Sequence, residues 1–399
     1  MNIILFDDDK RSDLLPLAYT RPCGDMRVGI LTLAQKWKKR TNSEVSFVTE
    51  AYLSPKYPPV FTADNFYING RVLATDELRD SVEQLDINQS LWQDESLIAL
   101  RTDKSLTTYA MMCIHTSSRA EIEDTTQINF TYDIFHLNGD QIRTDFELIT
   151  SGRKSATPSD SNTLIGDNIF IEEGATVEAA TLNSKNGPIY IGKNAEIMEG
   201  ATVRGPLALC EGSVIKMGAK IYGDTTIGPS SKVGGEVSNT VFYANSNKGH
   251  DGFLGNSVIG EWCNLGADTN CSNLKNNYAQ VKLWNYSKKR FLHSGLQFCG
   301  LIMGDHSKCG INTMFNTGTV VGVSANIFGA SFPRNFIPSF TWGGASGFAT
   351  YTVPKALETA RIVMLRRNKE LNNTEKEILN TVFEDSIEHR FWENKPLNK

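Results

Sequence analysis

A six-residue repeat that begins at Leu164 limits the possible folds of this chain more than any other feature. An aliphatic residue recurs at every sixth position, and a small residue often stands four places after it. This spacing is typical of short parallel strands wound into a triangular coil, with aliphatic side chains in the interior and small residues at the corners. The repeat therefore predicts a parallel β-helix. The uninterrupted aliphatic positions are Ile191, Ile197, Val203, Leu209, Ile215, Ile221, Ile227 and Val233.

Two interruptions divide the repeat. It pauses over residues 238–258, resumes at Ile259 and Leu265, pauses again over residues 269–302, and continues from Met303 to Ile327. A loop that leaves a rigid coil can carry functional side chains without disturbing the core. We therefore expect both interruptions to be loops, and we expect them to flank the functional site.

The hydrophobic pattern of the sequence differs before and after the repeat. Before about residue 155, strand-like runs alternate with helix-compatible runs, which predicts an α/β unit with a mainly parallel sheet. After Val353, apolar residues recur with helical spacing and are interrupted at Asn372 and Asn373. We predict an α/β domain at 1–155, a β-helix at 160–350 and a helical segment at 351–399 that covers the end of the coil.

The composition favours a cytoplasmic enzyme that acts on small molecules. The formal net charge is −5, and no apolar run reaches membrane-spanning length, so neither nucleic acid nor a membrane is expected as a partner. The seven cysteines contain no close CxxC pair. We therefore expect free thiols and neither a disulfide framework nor a zinc site.

The strongest chemical motif runs from Gly249 through His250 to Gly255. A histidine is a suitable general base near neutral pH, and the flanking glycines let a substrate approach the backbone closely. Taken alone, a loop histidine is more often hydrogen-bonded or solvent-facing than catalytic. The predicted coil around His250 is what favours a catalytic role for this histidine.

The second half resembles the acetyltransferase domain of the bifunctional N-acetylglucosamine-1-phosphate uridyltransferase/glucosamine-1-phosphate acetyltransferase family, which is a trimeric left-handed β-helix. Gly249-His250, Phe253 and Gly255 match one family motif, and Ile259 through Thr269 match the next without a gap. The resemblance implies that His250 removes a proton from the amine of glucosamine 1-phosphate, which then attacks acetyl-CoA. It further implies that Asn264, a sugar-contacting asparagine, is a catalytic residue together with His250. It implies as well that Phe253 and Asn273 bind the sugar phosphate, and that Ala267 and Gly329 lie near acetyl-CoA.

The same resemblance places Lys216 where the family has a phosphate-binding arginine. Lysine supplies a point charge there, whereas arginine supplies a planar fork. A solvated lysine on the face of a coil is an equally good interpretation of Lys216. Lys248 is a second candidate for the sugar phosphate.

The N-terminal segment resembles an altered sugar nucleotidyltransferase opening, of a kind found fused to this coil in a bacterial branch of such proteins. The resemblance implies that Arg11, Arg21, Arg27 and Asn69 bind a nucleotide. Asp7 and Asp8 are candidate ligands for Mg²⁺, because nucleotidyl transfer uses carboxylates to hold magnesium. The aspartates are also compatible with a solvated turn after the first strand, and the arginines with surface or helix-terminus charges.

Three functions remain open. The preferred one is a homotrimeric transferase that acetylates glucosamine 1-phosphate with acetyl-CoA and couples the product to a uridine nucleotide. The second is a sugar-1-phosphate nucleotidyltransferase, for example a thymidylyltransferase, in which the coil serves for trimerisation. The third is a non-catalytic or metal-binding trimer, with His250, His293 and His306 as the candidate ligands.

Overall fold

A computed structural model describes residues 1–393, which form two compact units. The first unit contains residues 1–14, 20–27 and 31–130, and the second contains residues 15–19, 28–30 and the chain from residue 131 onward. The first unit therefore ends earlier along the chain than the predicted boundary at residue 155.

A six-stranded sheet forms the centre of the first unit, in the order β2-β1-β3-β5-β4-β6. The predicted strands are present, but the sheet is mixed. β5 is antiparallel to β3, and it is also antiparallel to β4 because a tight turn at Asp94 joins β4 to β5 as a hairpin. The strands are β1 Ile3–Phe6, β2 Val45–Val48, β3 Asn65–Asn69, β4 Gln89–Gln93, β5 Ser96–Thr102 and β6 Ser118–Glu121.

Both faces of this sheet are covered. Ile3 and Leu5 pack with Trp37 on one face, whereas Ile4 and Phe6 pack with Met112 on the other, as the alternation of side chains along a strand requires. Short 3-10 helices connect β1 to the first α-helix, and that helix begins with a capping box made by Thr32. The helices are α1 Leu33–Thr41, α2 Asp76–Glu83 and α3 Tyr109–Ile114, and the 3-10 helices of this unit are Asp9–Leu14 and Cys23–Asp25.

The second unit begins with two helices, α4 Asp133–His136 and α5 Asn138–Thr150, which pack against the coil. Asn138 fixes this arrangement, because its amide donates to the carbonyl of Asp224 and its Oδ1 accepts a hydrogen bond from the hydroxyl of Thr226. The segment just before the repeat is thus structurally part of the coil unit.

The coil is a parallel β-solenoid, which confirms the predicted fold class. One face is a ten-stranded sheet, which we call the first face. Its strands are β9 Thr176–Val177, β12 Glu196–Ile197, β15 Val214–Ile215, β18 Lys232–Val233, β20 Asn247–Lys248, β22 Asn264–Leu265, β27 Lys308–Cys309, β30 Asn326–Ile327, β32 Thr341–Gly344 and β33 Gly347–Thr350.

The other two faces are joined into one fifteen-stranded sheet, because the long strands β19 and β21 run around the corner between them. The remaining strands of this sheet are short. The strands are β7 Thr163–Ile165, β8 Ile169–Ile171, β10 Thr181–Asn183, β11 Ile189–Ile191, β13 Thr202–Arg204, β14 Leu207–Leu209, β16 Lys220–Ile221, β17 Thr225–Ile227, β19 Glu236–Phe242, β21 Phe253–Ile259, β23 Asn270–Cys271, β26 Leu301–Met303, β28 Met314–Phe315, β29 Thr319–Val321 and β31 Phe336–Ile337.

The repeat positions form the interior of the coil, as predicted. Every aliphatic position from Ile191 to Val233 is at most 2% exposed and belongs to one apolar cluster. The first interruption, however, is not a loop. β19, β20 and β21 carry the coil straight through residues 238–258, with corners that are shorter than those of the preceding turns.

The second interruption is a true excursion from the coil. The chain leaves after β23 and returns at β26. Between them, β24 Lys282–Asn285 and β25 Arg290–His293 form an antiparallel hairpin, in which Trp284 pairs with Phe291.

Two helices follow the coil, α6 Val353–Leu365 and α7 Asn373–Asp385, with the predicted break at Asn372. Phe383 packs edge-on against Phe340 in the last turns. The connection between the helices also reaches back along the side of the coil, where Arg367 donates to the carbonyl of Ser230 and to Oδ1 of Asn247. The C-terminal segment therefore covers more than the end of the coil. Within residues 1–393, no helix combines the length and apolarity needed to cross a membrane.

Candidate active site

The predicted acetyl-transfer residues gather along one edge of the coil, where the chain leaves the first face. We call this the His250 edge. Val233, Lys248, Leu265, Cys309 and Ile327 end strands in successive turns of that face, so the residues that follow them stack above one another. The edge contains Lys216, Gly234, Gly249, His250, Gly266, Ala267, Gly310, Ile311, Phe328 and Gly329.

His250 is exposed on a short corner loop of residues 249–252. The loop is fixed from the next turn, where the backbone N–H of Asp268 donates to the carbonyl of Asp251 at 3.1 Å. Gly252 ends the loop with φ at +112°, a conformation that L side chains rarely adopt. The imidazole thus projects into solvent from a well-anchored backbone.

Lys248 lies in the interior of the coil and not on its surface. It takes the core position between Val233 and Leu265 and is 1% exposed. Its ammonium donates to the carbonyls of Gly234 at 3.2 Å and of His250 at 2.9 Å. Burial lowers the pKa of Lys248 to about 8. The structure therefore places Lys248 beneath the histidine loop, where it is not accessible to a sugar phosphate.

The other sugar-site candidates lie on both sides of the edge. Asn264 is exposed on the first face, in β22 next to Asn247. Phe253 and Asn273 meet on the adjoining face, on either side of Gly255. A Cβ at Gly255 would lie 2.6 Å from Nδ2 of Asn273 and 2.8 Å from the ring of Phe253, so both side chains would have to shift to admit one. Asn273 also donates to Oδ1 of Asn256 at 2.8 Å.

Lys216, Ala267 and Gly329 all lie on the His250 edge, in different turns. Lys216 is half-buried, and its side chain lies 3.7 Å from the sulfur of Met198. Gly234 lies between Lys216 and the histidine loop. Ala267 is half-buried and Gly329 is exposed. One edge of the coil thus presents the histidine, a lysine and two small residues.

In the first unit, Asp7 and Asp8 are tied into the fold. Asp8 receives two hydrogen bonds from the guanidinium of Arg71, at 2.5 and 2.8 Å, and one from the Asn69 amide at 2.9 Å. Arg71 and Asn69 hold the pKa of Asp8 below its ordinary value, although burial opposes them. Asp7 accepts from the hydroxyl of Thr49 and from the backbone N–H of Cys23. Burial raises the pKa of Asp7 despite the nearby Arg11.

This bonding does not fit a resident magnesium ion at Asp7 and Asp8. A metal would have to compete with a bidentate arginine for the oxygens of Asp8 and with Thr49 for those of Asp7. Among residues 1–393, which include His250, His293 and His306, no three His, Cys, Asp or Glu side chains are grouped to hold a metal ion.

The three candidate nucleotide-binding arginines are buried. Arg11, Arg21 and Arg27 are 9%, 3% and 8% exposed. The side chain of Arg11 donates to the hydroxyl of Tyr52 and lies 3.3 Å from Asp7. A polar cavity of about 460 Å³ opens beside Asp8 and Lys10, and none of the three arginines lines it.

Sequence reasoning assigned no role to Arg71, which is fully buried and neutralises Asp8. The sequence does contain one indication of such a partner. Three consecutive aspartates directly follow a buried strand, and an aspartate that turns inward needs a buried positive charge beside it. Arg367 was likewise missed, because helical periodicity gives no indication of a side chain that reaches back to Asn247.

Comparison with known proteins finds one family model and several relatives that each match part of this chain. Residues 3–154 match the family model described as sugar nucleotidyl transferase. The bifunctional protein GlmU of Methanocaldococcus jannaschii is 36% identical over 99 residues, a match that covers 25% of this chain and 22% of that protein. The bifunctional sugar-1-phosphate nucleotidylyltransferase/acetyltransferase of Sulfurisphaera tokodaii is 32% identical over 144 residues, which is 36% of this chain and 35% of that protein.

The matches thus span between about a fifth and a third of the length of these relatives. Among solved structures, the polySia-specific acetyltransferase NeuO is 14% identical with a TM-score of 0.29, and the alignment covers 48% of this chain and 87% of that one. The resemblance to bifunctional sugar nucleotidyltransferase/acetyltransferases and the transferase class, both predicted from the sequence, are confirmed by these findings.

Proposed function

We propose that the coil transfers an acetyl group from acetyl-CoA to the amine of glucosamine 1-phosphate. The observation that best supports this reaction is the exposed imidazole of His250 on an anchored corner loop, within a sequence motif that resembles one of the acetyltransferase family. An exposed base on a rigid scaffold can be held at a fixed distance from a bound amine.

The reaction balances without any redox partner. His250 accepts a proton from the amine, whose nitrogen lone pair attacks the thioester carbon. The new C–N bond forms as the C–S bond breaks, and the CoA sulfur leaves as a thiolate that takes up a proton. In this proposal Asn264 and Asn273 orient the sugar with their amides, and Lys216 binds its phosphate.

We further propose that the active form is a homotrimer. Met217 and Ile311 are each 70% exposed on turns below and above the histidine loop, and Phe328 is 41% exposed further along the same edge. Large apolar side chains repeated along one edge favour burial against a neighbouring copy. A neighbour placed there would enclose the substrate amine beside His250.

The first unit supports uridylyl transfer to the acetylated sugar phosphate as a second candidate reaction. The observation in its favour is the sugar nucleotidyl transferase match over residues 3–154. The bonding of Asp7 and Asp8 argues against a metal ion at those two residues, so this proposal assigns them no catalytic step.

The decisive experiment follows release of CoA thiol from acetyl-CoA in the presence of glucosamine 1-phosphate. We expect turnover by the intact protein, and a loss of about a hundredfold or more in His250→Ala, as is typical when a general base is removed. His293→Ala is the matched control, because it removes an exposed histidine from the hairpin. Equal activity in His250→Ala and His293→Ala would refute the assignment.

A nucleotide screen tests the second reaction separately. Pyrophosphate formation is measured from UTP and from dTTP with N-acetylglucosamine 1-phosphate and with other sugar 1-phosphates. Turnover with UTP alone supports the bifunctional enzyme. Turnover with dTTP alone, without thiol release from acetyl-CoA, would support a single-function nucleotidyltransferase instead.

A further inference from the structure

The hairpin of β24 and β25 forms one wall of a cavity of about 960 Å³, away from the His250 edge. The coil contributes Arg334 and Phe336 to this cavity, and the segment after α7 contributes His389 and Phe391. The residues over which the chain departs from the simple repeat are therefore used to build a concave surface, which we call the hairpin cavity.

Aromatic rings form the walls of the hairpin cavity. Trp284 stacks on Phe336 with ring centroids 4.2 Å apart and planes 11° from parallel, which makes a rigid base for the hairpin. Phe291 and Phe391 each remain 41% exposed. Exposed aromatic rings around one cavity provide stacking surfaces for a flat ligand ring.

The charged residues that line the hairpin cavity are mostly positive. Lys289 pairs with Glu388 at 2.6 Å, and Glu388 is the sole acidic residue among the described residues that line it. Lys275, Lys282 and Arg334 therefore leave an excess of positive charge. Arg334 lies over the ring of Phe391 at 4.8 Å, so one cation and one aromatic wall are already held together.

We propose that the hairpin cavity binds a phosphorylated nucleotide, with the base against Phe291 and Phe391 and the phosphates at Lys282 and Arg334. Apolar rings beside unbalanced cations match a ligand that has a flat base at one end and negative charge at the other. Two sources share this chemistry, namely the adenosine 3′,5′-bisphosphate end of an acyl-CoA and a free nucleotide. Binding does not depend on the proposed acetyl transfer.

Calorimetric titration of the full chain tests the proposal with adenosine 3′,5′-bisphosphate, UDP, adenosine and inorganic phosphate. We expect at least one of the two nucleotides to bind, and adenosine and phosphate alone to bind at least about tenfold more weakly. The double variant Lys282→Ala/Arg334→Ala should weaken nucleotide binding by about tenfold or more. Lys288→Ala, which removes an exposed charge from the same hairpin outside the cavity lining, should change it less than twofold.

Phe291→Ala tests the stacking wall independently of charge, and we expect it to weaken nucleotide binding by about tenfold. Unchanged thermal midpoints in the variants show that they are folded. Failure of both nucleotides to bind would overturn the proposal. Equal binding of adenosine and its bisphosphate, or equal effects of Lys288→Ala and the double variant, would also overturn it.

Kinetics then distinguish the two sources. If the cavity holds the nucleotide end of the acyl donor, the double variant raises KM for acetyl-CoA but leaves KM for S-acetyl-pantetheine unchanged. If the ligand is a free nucleotide, KM for both donors stays unchanged while nucleotide binding is lost. Calorimetry measures binding without turnover. Absence of acetyl transfer would therefore refute the proposed function without affecting the test of nucleotide binding.

Discussion

Lys248 shows how a single residue can couple the interior of the coil to its surface. Its neighbours in the same column of the first face, Val233 and Leu265, are apolar, whereas its ammonium donates to two carbonyls at the adjacent corner. One of these carbonyls belongs to His250. The lysine therefore holds the backbone of the candidate base from inside, at the cost of burying a charge.

The pH dependence of stability tests this burial. The pKa of Lys248 falls from an ordinary 10.5 to about 8 in the fold, so between these values the unfolded chain binds the extra proton. The penalty for burying the charge applies fully below about pH 8 and disappears as the pH rises towards 10.5. It amounts to roughly 3 kcal/mol.

We expect the thermal midpoint of the wild type to rise relative to that of Lys248→Met between pH 8 and pH 10. Using the difference between the two proteins removes the contributions of other titrating groups. Lys220→Met, at an exposed lysine of the coil, is the control and should show no such trend. A constant difference across this range would contradict the interior placement of the ammonium.

The buried ion pair of Arg71 with Asp8 leads to a second prediction about stability. Its side chain is 0% exposed and that of Asp8 is 5% exposed, so removal of the cation leaves a buried carboxylate without its partner. We expect Arg71→Met to reduce the free energy of unfolding by about 3–5 kcal/mol. Arg79→Met removes a surface arginine that pairs with Asp80 and should cost about 1 kcal/mol or less. Chemical denaturation of the variants compares the two costs.

At the scale of elements, the repeat predicted the coil where its corners are regular and failed where they shorten. Gly234 and Gly235 make a tight corner, and Lys248 then occupies a core position that an aliphatic residue holds elsewhere. A polar residue in the interior hides the register, so the repeat predicts a loop over residues 238–258 where the coil in fact continues. The second excursion was predicted because the aliphatic repeat stops over residues 269–302, but its hairpin and cavity depend on ring contacts that spacing does not encode.

The break between α6 and α7 allows a test of the helix cap formed by Asn372. Asn372 was identified as an interruption of the helical pattern, and it caps α7, where its side chain accepts from the N–H of Glu375 in a capping box. We expect Asn372→Ala to lower the free energy of unfolding by about 1 kcal/mol. Asn380→Ala, within the same helix, has no cap to lose and should be close to neutral. Equal losses in the two variants, measured by denaturation, would show that the cap is not the cause.

For the whole molecule, composition and periodicity predicted the order of the parts but not the structural boundary between them. The family match ends at residue 154, near the predicted boundary at residue 155, whereas α4 and α5 pack with the coil from residue 131 onward. An amphipathic pattern shows that a helix has an apolar face, but it does not show which unit that face packs against. Asn138, which bonds to Asp224 and Thr226, makes that choice through long-range contacts.

The final prediction concerns the proposed trimer. His250 is exposed in a single chain, so a neighbouring copy would be needed to enclose it. Ile311 is 70% exposed on the His250 edge, where a neighbouring copy would bury it, and a charge at that position would then be desolvated without a partner. We expect Ile311→Asp to convert a trimer to monomers in light-scattering measurements and to remove acetyl transfer while the thermal midpoint stays within a few degrees. Val60→Asp, at an apolar residue of the first unit that is 55% exposed, should leave mass and activity unchanged. Full activity in monomeric Ile311→Asp would show that the His250 edge is complete within one chain, because the histidine would then need no neighbour to exclude water from the amine.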